Sequence, residues 1–182
     1  LSGLALDIGA YIGTVSLALA IDNLGLQVLA VEPLPENVSL LRLNVEGLPV
    51  TVVQGAAGDG LDTVINYAFD GDENALHHAF VGNAETAAGE TAHRSWRGHA
   101  YTLSELLSGR HCALMKIDCE GGEYAFLADG AVDAVDLIVG EWHPTPPPGH
   151  TRADITELLG PTHHVTFSGP EAGPGGFRAV HR

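Results

Sequence analysis

The 182-residue chain is 45% hydrophobic and 17% charged, and its formal net charge is −15 at pH 7. These values suit a single globular domain, and the acidic balance argues against a nucleic-acid partner, which would need clustered lysine and arginine. The sequence contains no apolar run of about 18 residues and no signal-peptide pattern, so we expect no membrane partner and a cytoplasmic location.

Apolar runs and helix-compatible stretches alternate in the first third of the chain. This alternation predicts strands over residues 4–8, 27–31 and 50–54, separated by helices over residues 14–23 and 35–46.

The middle of the chain is less regular. Residues 63–69 are compatible with a strand, whereas residues 70–99 are polar, rich in small residues and without clear periodicity. Because an irregular stretch of this length usually has a function, we interpret residues 61–99 as a lid or a substrate-side insertion.

The last part of the chain resumes the alternation. It predicts helices over residues 102–107 and 153–159, and strands over residues 113–117, 137–140, 165–167 and 177–180. Strands that are apolar on both faces and separated by helices indicate an α/β fold, with a parallel sheet covered by helices on both sides. We expect one domain over residues 1–182. Because Leu1 directly precedes the first strand, we also expect that a preceding segment is missing.

A strand, a tight turn and a helix open the chain, with Asp7, Gly9 and Gly13 at the turn. Glycines allow the backbone to approach a ligand closely, and the start of a helix favours anionic groups. The dinucleotide fingerprint Gly-x-Gly-x-x-Gly would need glycines at Asp7 and Ile12, and an acid there would repel a pyrophosphate. The turn therefore favours a nucleotide-like ligand with a cationic or hydroxyl-bearing end. A plain strand-to-helix turn is the alternative.

Glu32 follows the second predicted strand. An acid at this place can bind both hydroxyls of a ribose, although Glu32 by itself is better explained as a solvated residue before a proline turn. Its pairing with the glycine turn favours ribose binding.

A second group of charged residues follows the fourth predicted strand. Lys116, the only lysine in the chain, lies two residues before Asp118, so both side chains project from one face of the strand. We expect Asp118 and Glu120 at the floor of a pocket, with Lys116 adjusting their charge, and we assign Glu120 and Glu123 to the substrate side. The alternative is a buried ion pair that only fixes the end of the strand.

Glu141 and His143 end the next predicted strand and point the same way by strand alternation. A histidine beside acids has a raised pKa and can accept a proton from a substrate hydroxyl near neutral pH. The alternative is a surface histidine before the proline-rich residues 144–148. Asp118, Glu141 and His143 could also hold a divalent cation, but such sites usually have more carboxylates, so we expect no metal.

Cys112 and Cys119 are the only cysteines, and they predict neither a zinc site nor a disulfide framework.

Together these segments resemble the FkbM family of S-adenosylmethionine-dependent methyltransferases. The matching pieces occur in family order and cover nearly the whole chain: LDIGAYIGTVSL (6–17), VEPLPENVSLLRLNV (31–45), QGAAGD (54–59), TLSELL (102–107), LMKIDCEGGEYAFL (114–127) and IVGEWH (138–143). The resemblance implies a class I methyltransferase fold: a Rossmann-like three-layer α/β sandwich whose seven-stranded, mostly parallel sheet ends in an antiparallel hairpin.

The resemblance also implies S-adenosyl-L-methionine as cofactor and S-adenosyl-L-homocysteine as product. Glu32 would bind the ribose hydroxyls, and Asp118 would face the sulfonium and the substrate. The residues implied to contact the cofactor are Asp7, Gly9, Ala10, Tyr11, Gly13, Glu32, Pro33, Ala56, Ala57 and Asp118.

Family members are typically O-methyltransferases that act on small molecules such as polyketides or sugars. We therefore expect methylation of a hydroxyl on a small molecule, with His143 as the base, Asp118 or Glu141 orienting it, and Lys116 adjusting the local charge. A homodimer is left open as the oligomeric state. The alternatives are a nicotinamide-dependent oxidoreductase and a non-catalytic relative that only binds a cofactor.

Overall fold

The computed structural model describes residues 1–67, 79–81, 94–144, 149–170 and 175–182. The helices and strands of these residues are, in chain order, β1 (Ser2–Ile8), α1 (Thr14–Asp22), β2 (Gly25–Glu32), α2 (Pro35–Asn44), β3 (Val50–Gln54), β4 (Ala56–Ala57), β5 (Asp62–Tyr67), β6 (Ala79–Val81), β7 (Arg94–Tyr101), α3 (Leu103–Leu107), β8 (Cys112–Ile117), α4 (Glu123–Leu127), β9 (Leu137–Trp142), α5 (Arg152–Leu159), β10 (His163–Phe167) and β11 (Gly175–His181).

Seven of the described strands form one sheet in the order β10-β11-β9-β8-β1-β2-β3. The five strands from β9 to β3 run parallel to one another, and β11 pairs antiparallel with both β9 and β10. The predicted α/β class, with a mostly parallel seven-stranded sheet and a C-terminal antiparallel hairpin, is confirmed.

The central strand β1 divides the core into two layers. Leu6 and Ile8 pack on one face in a cluster with Phe126 of α4, whereas Ala5 packs on the other face with Ala20 of α1. Successive side chains of a strand point to opposite faces, so a strand buried on both faces needs apolar residues throughout. Each large apolar side chain that is fully buried stabilises the fold by about 1.5–3 kcal/mol.

The register of the parallel strands brings the candidate site together. Asp7 on β1 is paired with Ala30 on β2 and with Lys116 on β8, and Ile117 on β8 is paired with Gly140 on β9. Because parallel strands end at the same edge, the residues that follow β1, β2, β8 and β9 meet there.

Most predicted strands and helices lie at their predicted places, with ends that differ by about two residues at most. The sequence did not predict α4 or the short 3₁₀ helix Gly130–Ala134, which together connect β8 to β9.

A second sheet, in the order β4-β7-β5-β6, is the largest difference from the sequence prediction. β5 corresponds to the strand predicted over residues 63–69. The expectation of an irregular stretch up to residue 99 is wrong at β7, which pairs antiparallel with β5. Ile65, Trp96 and Ala100 pack together in this sheet. The rest of the proposed insertion, residues 68–78 and 82–93, lies outside the described residues.

Among the described residues, no helix is both long and apolar enough to span a membrane.

Candidate active site

A cavity of about 440 Å³ opens at the carboxyl edge of the parallel strands. It is bounded by the β1–α1 turn, the end of β2, the β3–β4 connection and the end of β8. Its lining residues are Gly9, Ala10, Tyr11, Thr14, Val15, Val31, Glu32, Pro33, Leu34, Asn37, Gly55, Ala56, Ala57, Ile65, Lys116, Asp118, Cys119 and Glu120.

The β1–α1 turn forms one wall of the cavity, and Gly9 is the residue that allows it to pass close to β8. Gly9 has a φ of +72°, and a Cβ atom there would lie 1.8 Å from the Asp118 carbonyl oxygen. The Gly9 and Ala10 amides both donate to the Val31 carbonyl, at 3.0 and 2.9 Å. Tyr11 also has a positive φ, +52°, which is uncommon for a residue other than glycine and often marks a functional site.

Glu32 is held at the cavity wall by hydrogen bonds. Its Oε1 accepts from the Leu34 amide at 3.1 Å and from Asn37 Nδ2 at 3.0 Å, and its Oε2 accepts from the Tyr11 amide at 3.0 Å. Burial raises the pKa of Glu32, and these hydrogen bonds offset part of that rise. A carboxylate can accept about four hydrogen bonds, so Oε2 retains capacity for a ligand hydroxyl.

Asn37 is a cavity residue that the sequence interpretation missed. Its Nδ2 fixes Glu32, and its Oδ1 is buried without a hydrogen-bond partner among the described residues. Asn37 lies in the first turn of α2, inside the VEPLPENVSLLRLNV segment (31–45), and that position was the signal available in the sequence.

Asp7 and Gly13 were implied to contact the cofactor, but neither lines the cavity in the described structure. Asp7 is fully buried, with Ser16 Oγ donating to its Oδ2 at 2.6 Å. A Cβ atom at Gly13 would lie 2.4 Å from Leu41 Cδ1, so Gly13 permits close packing between α1 and α2. Both residues support the cavity wall from behind.

Lys116 ties the ends of β1 and β8 together. Its Nζ donates to the carbonyls of Ile8 at 3.2 Å and Gly9 at 2.7 Å. The same nitrogen lies 3.6 Å from Asp7 Oδ1 and 3.8 Å from Asp118 Oδ2. The predicted proximity of Lys116 and Asp118 is confirmed, and Lys116 also supplies the positive charge next to the buried Asp7.

His143 lies beside the cavity between two carboxylates. Its Nδ1 is 3.0 Å from Glu123 Oε1, and its Nε2 is 3.4 Å from Glu120 Oε2. Burial lowers the pKa of His143, but the hydrogen bond and charge of Glu123, together with the charges of Glu120 and Asp118, outweigh it and raise the pKa above its usual value.

Glu123 was assigned to the substrate side, and the structure corrects this assignment. Its side chain is fully buried and does not line the cavity. Both of its oxygens accept hydrogen bonds from the protein itself, including one from the His143 amide at 2.7 Å. Glu120, by contrast, lines the cavity as predicted.

Asp118, Glu141 and His143 converge at the ends of β8 and β9. Each offers one ligand atom, and these atoms lie within 4.8 Å of one another. Exposed acidic groups often lie this close without a metal, so the spacing by itself identifies no metal site. Neither Glu141 nor His143 is part of the cavity lining.

Cys119 also lines the cavity and was not predicted to do so. Burial and the charge of Glu123 raise the pKa of its thiol well above the usual value, so Cys119 stays protonated and is a poor nucleophile. Both Cys112 and Cys119 are free thiols.

The model of the methyltransferase FkbM domain matches residues 7–165 of the chain. The chain belongs to this family. Its activity is therefore that of an S-adenosylmethionine-dependent methyltransferase, and the nicotinamide-dependent alternative is not supported. No curated protein matches the FkbM-family chain.

Solved structures show that the fold is that of class I methyltransferases. Precorrin-6y C5,15-methyltransferase from Geobacter metallireducens GS-15 has a TM-score of 0.55 and 15% identity, over 100% of this chain and 82% of that one. M. capricolum TrmK, solved with S-adenosylhomocysteine, has a TM-score of 0.56 and 9% identity, over 100% of this chain and 63% of that one. A human methyltransferase 10 domain containing protein has a TM-score of 0.54 and 13% identity, over 100% of this chain and 72% of that one.

The cavity of this FkbM-family chain fits S-adenosylmethionine. Glu32 has accepting capacity for a ribose hydroxyl, and the buried Asn37 Oδ1 lacks a partner among the described residues. The carboxylates of Glu32, Asp118 and Glu120 outnumber the single ammonium of Lys116 along the cavity wall, and this excess of negative charge suits a cationic sulfonium and disfavours a pyrophosphate.

Proposed function

We propose that this methyltransferase methylates a hydroxyl oxygen of a small molecule, with His143 accepting the hydroxyl proton. The observation that carries the proposal is the position of His143 at the end of β9. Its Nε2 lies next to Glu120 of the cavity wall, Asp118 is also close, and its Nδ1 is hydrogen-bonded to the buried Glu123.

On the cofactor side, Glu32 would hold the ribose, and the turn at Gly9, Ala10 and Tyr11 would lie against the methionine portion. Pro33, Ala56 and Ala57 would pack near the adenine. When bound, S-adenosylmethionine supplies a methyl group on a positively charged sulfur, whose C–S bond breaks as the new C–O bond forms, leaving the electron pair on sulfur. Asp118 would face the sulfonium, and its Oδ2 lies 3.8 Å from Lys116 Nζ.

On the acceptor side, the protein needs to orient a hydroxyl and remove its proton. Orientation can supply several orders of magnitude in rate by itself, and a base near neutral pKa typically contributes about 10²–10⁴-fold. His143 suits that task because its Nδ1 is held by Glu123, which leaves Nε2 as the nitrogen that exchanges a proton.

The charge of the cavity wall supports an uncharged acceptor. The acidic side chains of Asp118 and Glu120 line the wall, and they would repel phosphorylated or carboxylated acceptors. Neutral polyols, sugars and hydroxylated polyketides avoid that repulsion.

The test is methyl transfer to a panel of neutral hydroxylated compounds, measured for wild type, His143→Ala and the matched control His164→Ala on the exposed face of β10. We expect the His143 variant to lose about 100-fold or more in kcat, with unchanged affinity for S-adenosylhomocysteine, and the control to keep full turnover. A chelator should leave the wild-type rate unchanged. Undiminished turnover in His143→Ala would exclude it as the base. A rate that needs added Mg²⁺ would instead support the cation alternative, and cofactor binding without any transfer would support the non-catalytic one.

A further inference from the structure

Glu123 is a fully enclosed carboxylate beside the cavity edge. It stands at the start of α4 and is fully buried. Its Oε1 accepts from the His143 amide at 2.7 Å and lies 3.0 Å from His143 Nδ1, and its Oε2 accepts from the Gly121 amide at 2.8 Å. Such a group can influence chemistry in the cavity only through the residues that it holds.

We infer that Glu123 is a positioning residue that fixes His143 in the tautomer with its proton on Nδ1, so that Nε2 is the nitrogen that takes the acceptor's proton. This inference deepens the proposed function and rests on it. It adds a residue that does not line the cavity.

The hydrogen-bond chemistry of the two groups supports this tautomer. An ionised carboxylate only accepts hydrogen bonds, so a ring nitrogen that is hydrogen-bonded to it carries the hydrogen. Nδ1 is hydrogen-bonded to Glu123 at 3.0 Å, whereas Nε2 lies farther from its carboxylate neighbour, 3.4 Å from Glu120. Because Glu123 Oε1 also accepts from the His143 amide, the backbone and the ring of His143 are fixed by the same oxygen. The ring therefore has little freedom to rotate Nδ1 away from Glu123.

The other nitrogen of His143 points toward the cavity wall. Nε2 lies 3.4 Å from Oε2 of Glu120, and Glu120 lines the cavity. Glu120 has a φ of +53°, an uncommon conformation for a residue other than glycine, and its cost of about 1–3 kcal/mol is tolerated mainly where function requires it. A substrate hydroxyl that takes the place of Glu120 beside Nε2 would lie between the cavity and the base.

Four acidic groups face His143 from the elements packed around it. They are Glu123 on α4, Asp118 and Glu120 in the segment after β8, and Glu141 on β9. Tyr124 on α4 donates its hydroxyl hydrogen to the His143 carbonyl. Because acidic neighbours stabilise the imidazolium, neutralising Glu123 should lower the pKa of His143 and move the acidic limb of the rate profile to lower pH.

The first measurement needs no variant. Nitrogen-15 NMR of the wild-type protein, at a pH where the ring is neutral, reports which nitrogen of His143 carries the hydrogen; the signal is assigned by its loss in His143→Gln. We expect the hydrogen on Nδ1. A hydrogen on Nε2 would overturn the inference whatever the turnover data show, and because this readout is independent of activity, it separates failure of the inference from failure of the proposed function.

The second measurement compares Glu123→Gln with the control Glu157→Gln on the exposed face of α5. Glutamine removes the negative charge beside Nδ1, and its amide nitrogen must face either His143 or the backbone amide of Gly121, both of which donate to Glu123. The substitution therefore weakens the hold on the Nδ1 tautomer. We expect kcat to fall by about 100-fold or more, the acidic limb to shift to lower pH, and the KM for S-adenosylmethionine to stay within about twofold, since Glu123 does not line the cavity. A loss of cofactor affinity with an unshifted pH profile would show a merely structural role and contradict the inference.

Discussion

Replacing Gly9 with alanine tests the packing that forms the cavity wall. The new Cβ atom would lie 1.8 Å from the Asp118 carbonyl oxygen and 2.8 Å from the Asp118 carbonyl carbon. Non-bonded atoms do not approach so closely, so the β1–α1 turn and the end of β8 must separate by roughly 1 Å. Both atoms in the contact belong to the backbone, and no side chain can rotate to relieve it.

The expected loss of stability has two parts. A left-handed φ costs an alanine about 1 kcal/mol relative to glycine. Forced separation of packed backbone adds about 1–3 kcal/mol, and it strains the hydrogen bonds from the Asp118 amide to the Ile8 carbonyl and from Lys116 Nζ to the Gly9 carbonyl. We therefore expect Gly9→Ala to lower the free energy of unfolding by about 3 kcal/mol, a large part of a typical total of about 5–15 kcal/mol.

Gly47→Ala is the matched control. Gly47 has a similar φ, +77°, but a Cβ atom there would meet nothing within 4 Å. Urea unfolding should give a loss of about 1 kcal/mol for Gly47→Ala, and titration with S-adenosylhomocysteine should show weakened binding for Gly9→Ala only. Equal losses of stability in the two variants would refute the close approach of the turn to β8.

Three further predictions concern charged groups of the site. Glu32→Gln should weaken S-adenosylhomocysteine binding about 10- to 150-fold in calorimetry, the value of one charge-assisted hydrogen bond, whereas the exposed Glu46→Gln should not; equal affinities would remove Glu32 from the cofactor site. Lys116→Met should lower the free energy of unfolding by about 3 kcal/mol because it leaves the buried Asp7 unpaired, and adding Asp7→Asn should restore much of that loss; no recovery in the double variant would contradict the pairing. A plot of kcat/KM against pH should fall on the acidic side, with a pKa above the usual histidine value of 6.5. The reason is that imidazolium cannot accept a proton and that the acidic neighbours of His143 raise its pKa. A kcat/KM independent of pH between about 5 and 8 would exclude His143 as the titrating base.

The centre of the sheet was predictable because β1 and β2 are buried on both faces over most of their length and therefore appear as apolar runs. Parallel strands end at one edge, so the positions of Glu32, Lys116 and Asp118 in the sequence were enough to bring them to one cavity. The second sheet was not predictable in the same way. β7 contains arginines, histidine and glycine, and its extended conformation depends on pairing with β5, which is distant along the chain.

Two of the site residues whose positions differ from the prediction, Asp7 and Glu123, depend on contacts that are distant in sequence. Asp7 lies on β1 just before a glycine turn typical of ligand binding, but its carboxylate is buried against Ser16 and Lys116. Glu123 follows two glycines, a pattern typical of an exposed loop, but it begins α4 and its side chain is buried against His143 at the end of β9.

The central claim is that this FkbM-family chain moves a methyl group to a hydroxyl oxygen. The most direct measurement uses S-adenosylmethionine with a carbon-13 methyl group and identifies by NMR the atom that carries the label in the product. The account predicts a methoxy signal on a neutral hydroxylated acceptor, absent when His143 is replaced by alanine. A label on carbon or nitrogen, or a methoxy product formed equally well by that variant, would contradict it.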